Sequence, residues 1–279
     1  MPNEVDWPEA VWTEINEAVV KEVAKVRISQ KVFPTTVFDS DPTEVLNDVI
    51  TFPALTIQEG STKPFVEIYR EFPLTSAQVS KESEKKAGKT LARMAAKEIA
   101  LAEDTVILQG ANGALPPNVQ TEQRSSASKG LLGEAAATTI KVQKLAPARA
   151  GLVYGENTFS AVTDGIAQLT AQGQAPNYAL VLPTAIYADT FVPPSPASLL
   201  TTAERIKPLV EGGFYGTGTL PKDEGLLVAL GGEPTSLYVG REAVTEFVRK
   251  AGATFVFRVV ERVQFVARDA RAFVLLKFA

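Results

Sequence analysis

The chain has 279 residues, 45% of them apolar and 22% charged, with a net charge of −4. These values fit one large folded domain or two ordinary ones, and they argue against disorder and against a broad basic face for nucleic acid. With no cysteine and no histidine, disulfides, thiolate metal sites, cysteine nucleophiles and the usual Ser-His-Asp or zinc hydrolases lose their parts, so the expectation moves toward a structural or binding role.

The first twelve residues, MPNEVDWPEAVW, lack a basic segment followed by an apolar one, and no stretch reaches membrane-spanning length. The expectation is a soluble, cytoplasmically made protein without a membrane partner. Trp12, Ile15, Val19, Val23 and Val26 recur at helical spacing and predict an amphipathic helix from about Pro8 to Ile28. Asp6 and Glu9, three apart, suit its N-cap. From Val32 to Leu74 prolines at 34, 42, 53, 64 and 73 punctuate extended chain. Two strands joined at Gly60–Pro64 form the predicted long hairpin, too thin to stand alone and in need of other chain to lean on.

A long helix is expected over about Lys81–Leu108, striped by Leu91, Met94, Ala95, Ile99, Ala102 and Val106 and ended by Gly110. A polar Gly/Pro/Ser-rich loop follows from Ala111 to Ser128. Later segments predict helices over Thr158–Gln172 and Ala197–Val210 and a short buried strand YALVLP at Tyr178–Pro183. A glycine-rich turn, EGGFYGTGTLP, precedes strands in GLLVAL, SLYVG, ATFVFRVVERVQFVARD and the closing AFVLLKF. Helices mixed with late antiparallel strands define the class as α+β. A buried last strand explains an apolar chain end where fraying is usual.

Candidate chemistry is sparse. Gly213, Gly216 and Gly218 match neither phosphate-loop nor dinucleotide spacing and lie on the wrong side of a strand. Glu103-Asp104 and Glu44 with Asp48 have no acid/base counterpart and are expected to face solvent. Lys63 reads as a solvated turn residue, and SKESEKKAGK as a solvated helix start.

Taken together, the first helix, the proline-marked hairpin and the helix ending EIALAEDTVILQG have a familiar order. The KGLLG turn and the closing run YVGREAVTEFVRKAGATFVFRVVERVQFVARDARAFVLLKF complete it. This arrangement resembles the encapsulin shell proteins and the tailed-phage major capsid proteins, which share the Hong Kong 97-type fold. The resemblance implies an N-terminal helix and arm over 1–40, an extended hairpin loop over 41–76, a peripheral domain over 77–130 and 241–279 with a long spine helix, and an axial domain over 131–240. It implies that Phe65, Ile68 and Phe72 of the hairpin contact a neighbouring subunit, and that Trp12, Ile15 and Val19 line the interior face of the first helix.

The function implied is a self-assembling structural shell: first, an icosahedral tailed-phage capsid that packages DNA with separate portal and scaffold proteins. The alternative is an encapsulin nanocompartment in the cytoplasm, where a cargo tail docks on Trp12, Ile15 and Val19. Neither needs a catalytic residue, metal or cofactor. An enzyme built on Lys and carboxylates is the remote third reading, which small soluble species after purification would revive. Crosslinking between Lys63 and a neighbour's asparagine would appear as covalent multimers.

Overall fold

The computed structural model describes residues 5–58, 60–126, 128–146, 151–194 and 200–279. Most of its strands fall into two five-stranded sheets, each carrying its own helices, and the rest form two short two-stranded ribbons. The first sheet has the order β1-β12-β13-β6-β7: β1 is Thr35–Val37, β6 Val66–Thr75, β7 Val119–Glu122, β12 Thr235–Ala251 and β13 Thr254–Ala267. Strand alternation sends Phe255, Phe257, Val259 and Val263 of β13 to one face, where two helices cover them. These are α1 (Glu9–Val26) and α5 (Ala87–Gln109).

Alanines at 92, 95, 96, 100 and 102 are all buried on α5, and their small side chains let α1 and the sheet come close enough for dense packing. Trp7 stacks on Phe257, ring centroids 4.9 Å apart. Ion pairs fasten the two helices at their edges. Glu14 reaches Lys86 and Lys89, the latter at 2.8 Å, and Glu22 reaches Arg93 at 2.9 Å and Lys97 at 3.5 Å. The opposite face of the sheet carries a ladder of alternating charge. Arg258 joins Glu67 at 3.1 Å and Glu246 at 2.9 Å, and Arg262 joins Glu67 and Asp41, each at 2.9 Å.

The predicted first helix is present, but its N-cap is Pro8, with no side-chain cap from Asp6. The predicted helix over Lys81–Leu108 is two pieces, α4 (Glu82–Lys85) and α5, preceded by a further short helix α3 (Ser76–Ser80). Lys86 adopts a left-handed conformation at the last junction. Buried Glu82 caps α5 there, accepting from Gly88 N at 2.7 Å and Lys89 N at 2.9 Å. A carboxylate suits the positive end of a helix, so this residue of the charge run is not a solvated one.

The other end of α5 needs glycine. Gly110 has φ +60°, and a Cβ on it would stand 2.3 Å from Gly130 N; Gly130, with φ +64°, is locked reciprocally at 2.4 Å from Gly110 N. The KGLLG turn therefore crosses the helix end backbone to backbone and opens α6 (Gly130–Ala135). The 111–128 loop contributes β7 to the sheet edge against β6.

The second sheet has the order β10-β9-β11-β14-β8: β8 Thr139–Val142, β9 Tyr178–Pro183, β10 Gly213–Thr217, β11 Glu224–Ala229 and β14 Phe273–Phe278. All six residues of β9 are buried, as a continuous apolar strand in a sheet centre should be. Helix α7 (Glu156–Ala171) packs Ala161, Val162 and Leu169 into this core, flanked by α8 (Thr184–Asp189) and α9 (Thr202–Ile206). The expected helix over Ala197–Val210 is only α9 and a 3-10 turn over Lys207–Leu209, and residues 197–199 lie outside the described ones. The glycine-rich stretch expected to be a turn contains β10, paired in parallel with β9.

The chain end is a buried strand, as its apolar run implies, but β14 lies between β11 and β8 in the second sheet. It does not join β12 and β13, so the expected 241–279 peripheral unit loses its last strand to the unit that 131–240 was expected to form alone. Conversely, residues 235–240 belong to β12 of the first sheet.

Candidate assembly surfaces

Between β1 and β6 the chain makes a narrow excursion in two steps. Strand β2 (Glu44–Leu46) pairs with β5 (Thr62–Pro64), and beyond them β3 (Val49–Thr51) pairs with β4 (Thr56–Gln58). A bend separates the steps, with Gly60 at φ +84° on one strand and Asn47 N bonded to Ser61 O at 2.9 Å. The turn predicted at Gly60–Pro64 is therefore a mid-hairpin bend, and the tip is Phe52–Leu55 with a cis Phe52–Pro53 bond.

Two contacts hold the outer step to the loop before β14. Ile50 N donates to Arg268 O at 2.9 Å, and the Arg271 guanidinium lies 3.3 Å from the Phe52 ring centre. Lys63 is half-buried with its ammonium 5.1 Å from the Phe265 ring centre. Burial holds its pKa below the usual lysine range against the attraction of Glu134. It is not a solvated turn residue.

The three hairpin residues expected to contact a neighbour are buried in their own subunit. Phe65 packs with Val45, Val266 and Phe38, while Ile68 and Phe72 lie on β6 in the core under α1 and α5. They belong to a central strand bonded on both sides by β13 and β7, so the free hairpin is 44–64 and not 41–76. The apolar residues it leaves open are Leu46, Leu55 and Ile57, exposed by 63%, 74% and 57%. Isolated exposed leucines are ordinary; three on so thin an element, with little core of its own, are not.

Ile15 and Val19 are likewise fully buried against α5 and the sheet. Trp12 is half-buried, 5.0 Å from Trp7 and 6.1 Å from Phe257. A cargo tail therefore cannot dock on Ile15 and Val19, because the helix spends that stripe on its own fold. Its open face is polar, with Thr13, Glu17, Lys21 and Lys25. Beside its start lies an open cleft of about 430 Å³ whose apolar lining includes Trp7, Val11, Val79 and Phe255 and whose polar lining includes Asp6, Glu82 and three serines. On the second unit, Val153, Phe191 and Leu200 are exposed, and Phe191 stacks on Phe214. Among the described residues no His/Cys/Asp/Glu cluster could hold a metal, and no helix is long and apolar enough to cross a membrane.

A family profile described as "encapsulating protein for peroxidase" (Linocin_M18) matches residues 4–264, and the chain belongs to that family. It is an encapsulin-type shell protein with the mixed helix-and-sheet capsid fold. Among solved structures, the virus-like particle of Pyrococcus furiosus aligns with a TM-score of 0.68 at 16% identity, covering 97% of this chain and 100% of that one. The capsid of Myoviridae phage XM1 aligns at 0.59 and 11%, covering 91% and 92%. The SrpI encapsulin of Synechococcus elongatus PCC 7942 aligns at 0.57 and 12%, covering 89% and 86%. At such identities these likenesses establish the fold alone. No curated protein sequence matches the chain.

Proposed function

We propose that copies of this chain close into an icosahedral shell, each laying its 44–64 hairpin across a neighbour so that Leu46, Leu55 and Ile57 leave water. The observation that carries this is the hairpin itself, a thin two-step ribbon with three large aliphatics exposed. Each subunit both gives and receives a hairpin, so weak contacts multiply around a closed surface and become collectively strong. The fold does its work by shape, and no catalytic step is assigned to it.

Two contents fit such a shell. The first is DNA, packaged in a tailed-phage capsid with portal and scaffold proteins, a reading supported by the fold shared with the phage XM1 capsid. The second is a protein cargo in a cytoplasmic nanocompartment, a reading that equally fits the match to a family described as encapsulating a peroxidase. In that case the open surface for a cargo tail is the mixed cleft of Trp7, Val11, Val79 and Phe255 beside Asp6 and Glu82, and not the buried stripe of α1. Size-exclusion chromatography of the expressed chain, with ultraviolet spectra and gels of the particle fraction, tests both levels. A particle peak supports the shell; nucleic acid or a co-purifying protein within it separates the contents. A stable monomer or dimer at every concentration would overturn the shell reading.

A further inference from the structure

A charged residue stands where β13 should be apolar. Along its inward face run Phe255, Phe257, Val259, Glu261 and Val263, and Glu261 is fully buried with neither carboxyl oxygen hydrogen-bonded by a donor. Facing it from α5 are Glu103 and Asp104, also fully buried, although as an adjacent pair they were expected in solvent. A third element closes the group, the turn that leaves α1 and opens α2 (Ser29–Val32).

The partners are unequally shared. Asp104 accepts from Ile28 N at 2.9 Å, Ser29 N at 2.8 Å and Ser29 Oγ at 2.6 Å. Glu103 accepts from Arg27 Nη1 at 3.3 Å and Gln30 Nε2 at 3.0 Å, and lies 3.1 Å from the same Ser29 Oγ, whose one hydrogen the closer Asp104 takes. Glu261 has only the Arg27 guanidinium, 4.0 Å away. Arg27 is the one cation facing the cluster among the described residues. On β6 the residue opposite Glu261 is Ile68; on β12 its place falls in the bulge between Arg241 and Val244, where Ala243 is buried and Glu242 is exposed.

Three ionised carboxylates against one guanidinium would bury two net negative charges, which no low-dielectric site tolerates. One proton removes most of that cost. Placed between Glu261 and Glu103, it also gives Glu261 the hydrogen bond it lacks. We propose that Glu103 and Glu261 share one proton, and that this proton seats the Arg27–Gln30 turn on α5, so that alkali and not acid loosens the arm joining α1 to β1.

Burial and the Glu103 charge drive Glu261 well above the carboxylate range, and burial raises Glu103 against the pull of Arg27. Burial and Glu103 bring Asp104 to about 7 despite its donors. As a pair Glu103 and Glu261 hold their one proton, and Asp104 holds another below about 7, at pH values where the unfolded carboxyls have lost theirs. Folding therefore takes up protons in that interval. Stability is full below the ordinary carboxylate range and declines as pH climbs through the folded titrations.

The test is thermal unfolding of the full chain from pH 6 to pH 10, with infrared spectra at pH 8. The wild-type folding constant should fall by as much as tenfold per pH unit for each proton retained, about 1.4 kcal/mol, and an un-ionised carboxyl band should be present at pH 8. Glu261→Gln should flatten the alkaline slope and remove the band, whereas Glu22→Gln, in an ordinary ion pair, should change neither. A wild-type midpoint independent of pH, or a native protein without that band, overturns the proposal. So does an unchanged slope in Glu261→Gln. Should that variant fail to fold, the wild-type slope and band still decide.

Discussion

Replacing Leu55 and Ile57 together by serine should dissolve the shell and spare the subunit. Full burial of such a side chain is worth about 1.5–3 kcal/mol. With exposures of 74% and 57%, about 1–2 kcal/mol per residue remains to be gained on a neighbour. Losing both weakens each hairpin contact by about 2–4 kcal/mol, or about 30- to 1,000-fold in its dissociation constant. Within the subunit neither side chain is buried, so unfolding should shift by no more than about 0.5 kcal/mol. Light scattering against protein concentration reads assembly, and thermal unfolding reads the subunit. The reasoning is refuted if the double variant assembles at the wild-type concentration, or if it fails to assemble only because it has unfolded.

Three further outcomes follow from the packing. Ile68→Ala, in a fully buried position of β6, should destabilise the subunit by about 2–5 kcal/mol in denaturant unfolding, where an interface role would leave the unassembled chain unaffected. Gly110→Ala meets Gly130 N at 2.3 Å from a left-handed backbone; a loss of about 3 kcal/mol or more is expected, read as poor soluble yield or a lowered midpoint. Glu22→Gln should cost about 1 kcal/mol at neutral pH, since its partners are half-exposed. The Arg93 hydrogen bond lowers the Glu22 carboxyl below its ordinary range. Its contribution is thus present at neutral pH and lost in acid, so wild type and variant should converge as pH falls.

Period and punctuation made the main helices and the late strands readable: the Val19 and Val23 stripe of α1, Gly110 at the end of α5, and the alternation of β13. What they could not supply was partnership. The apolar run Phe273–Phe278 reads as a buried strand, yet nothing in it names β11 and β8 as neighbours over β12 and β13. Ile68 and Phe72 look like hairpin residues until β13 and β7 bond both edges of β6. Gly60 is a strong turn signal and does bend the chain, but the bend lies midway and the tip falls at Pro53.

The carboxylate cluster left a mark that could have been read. Glu261 interrupts the inward positions of FVFRVVERVQFV, and a charge at a core register position calls for a buried partner. The partners Glu103 and Arg27 lie far away in sequence, and only the fold joins them. The same gap affects the assembly surface. Exposure of Leu46, Leu55 and Ile57 depends on how the hairpin is held by Arg268 and Arg271, which composition does not encode.

Electron microscopy of the chain expressed alone and purified by size tests the central claim most directly. The account predicts closed particles of uniform diameter in which density for the 44–64 hairpin continues onto an adjacent subunit. Closed particles whose hairpins stay on their own subunits would contradict the assembly mechanism, and a sample holding only small soluble species would contradict the shell itself.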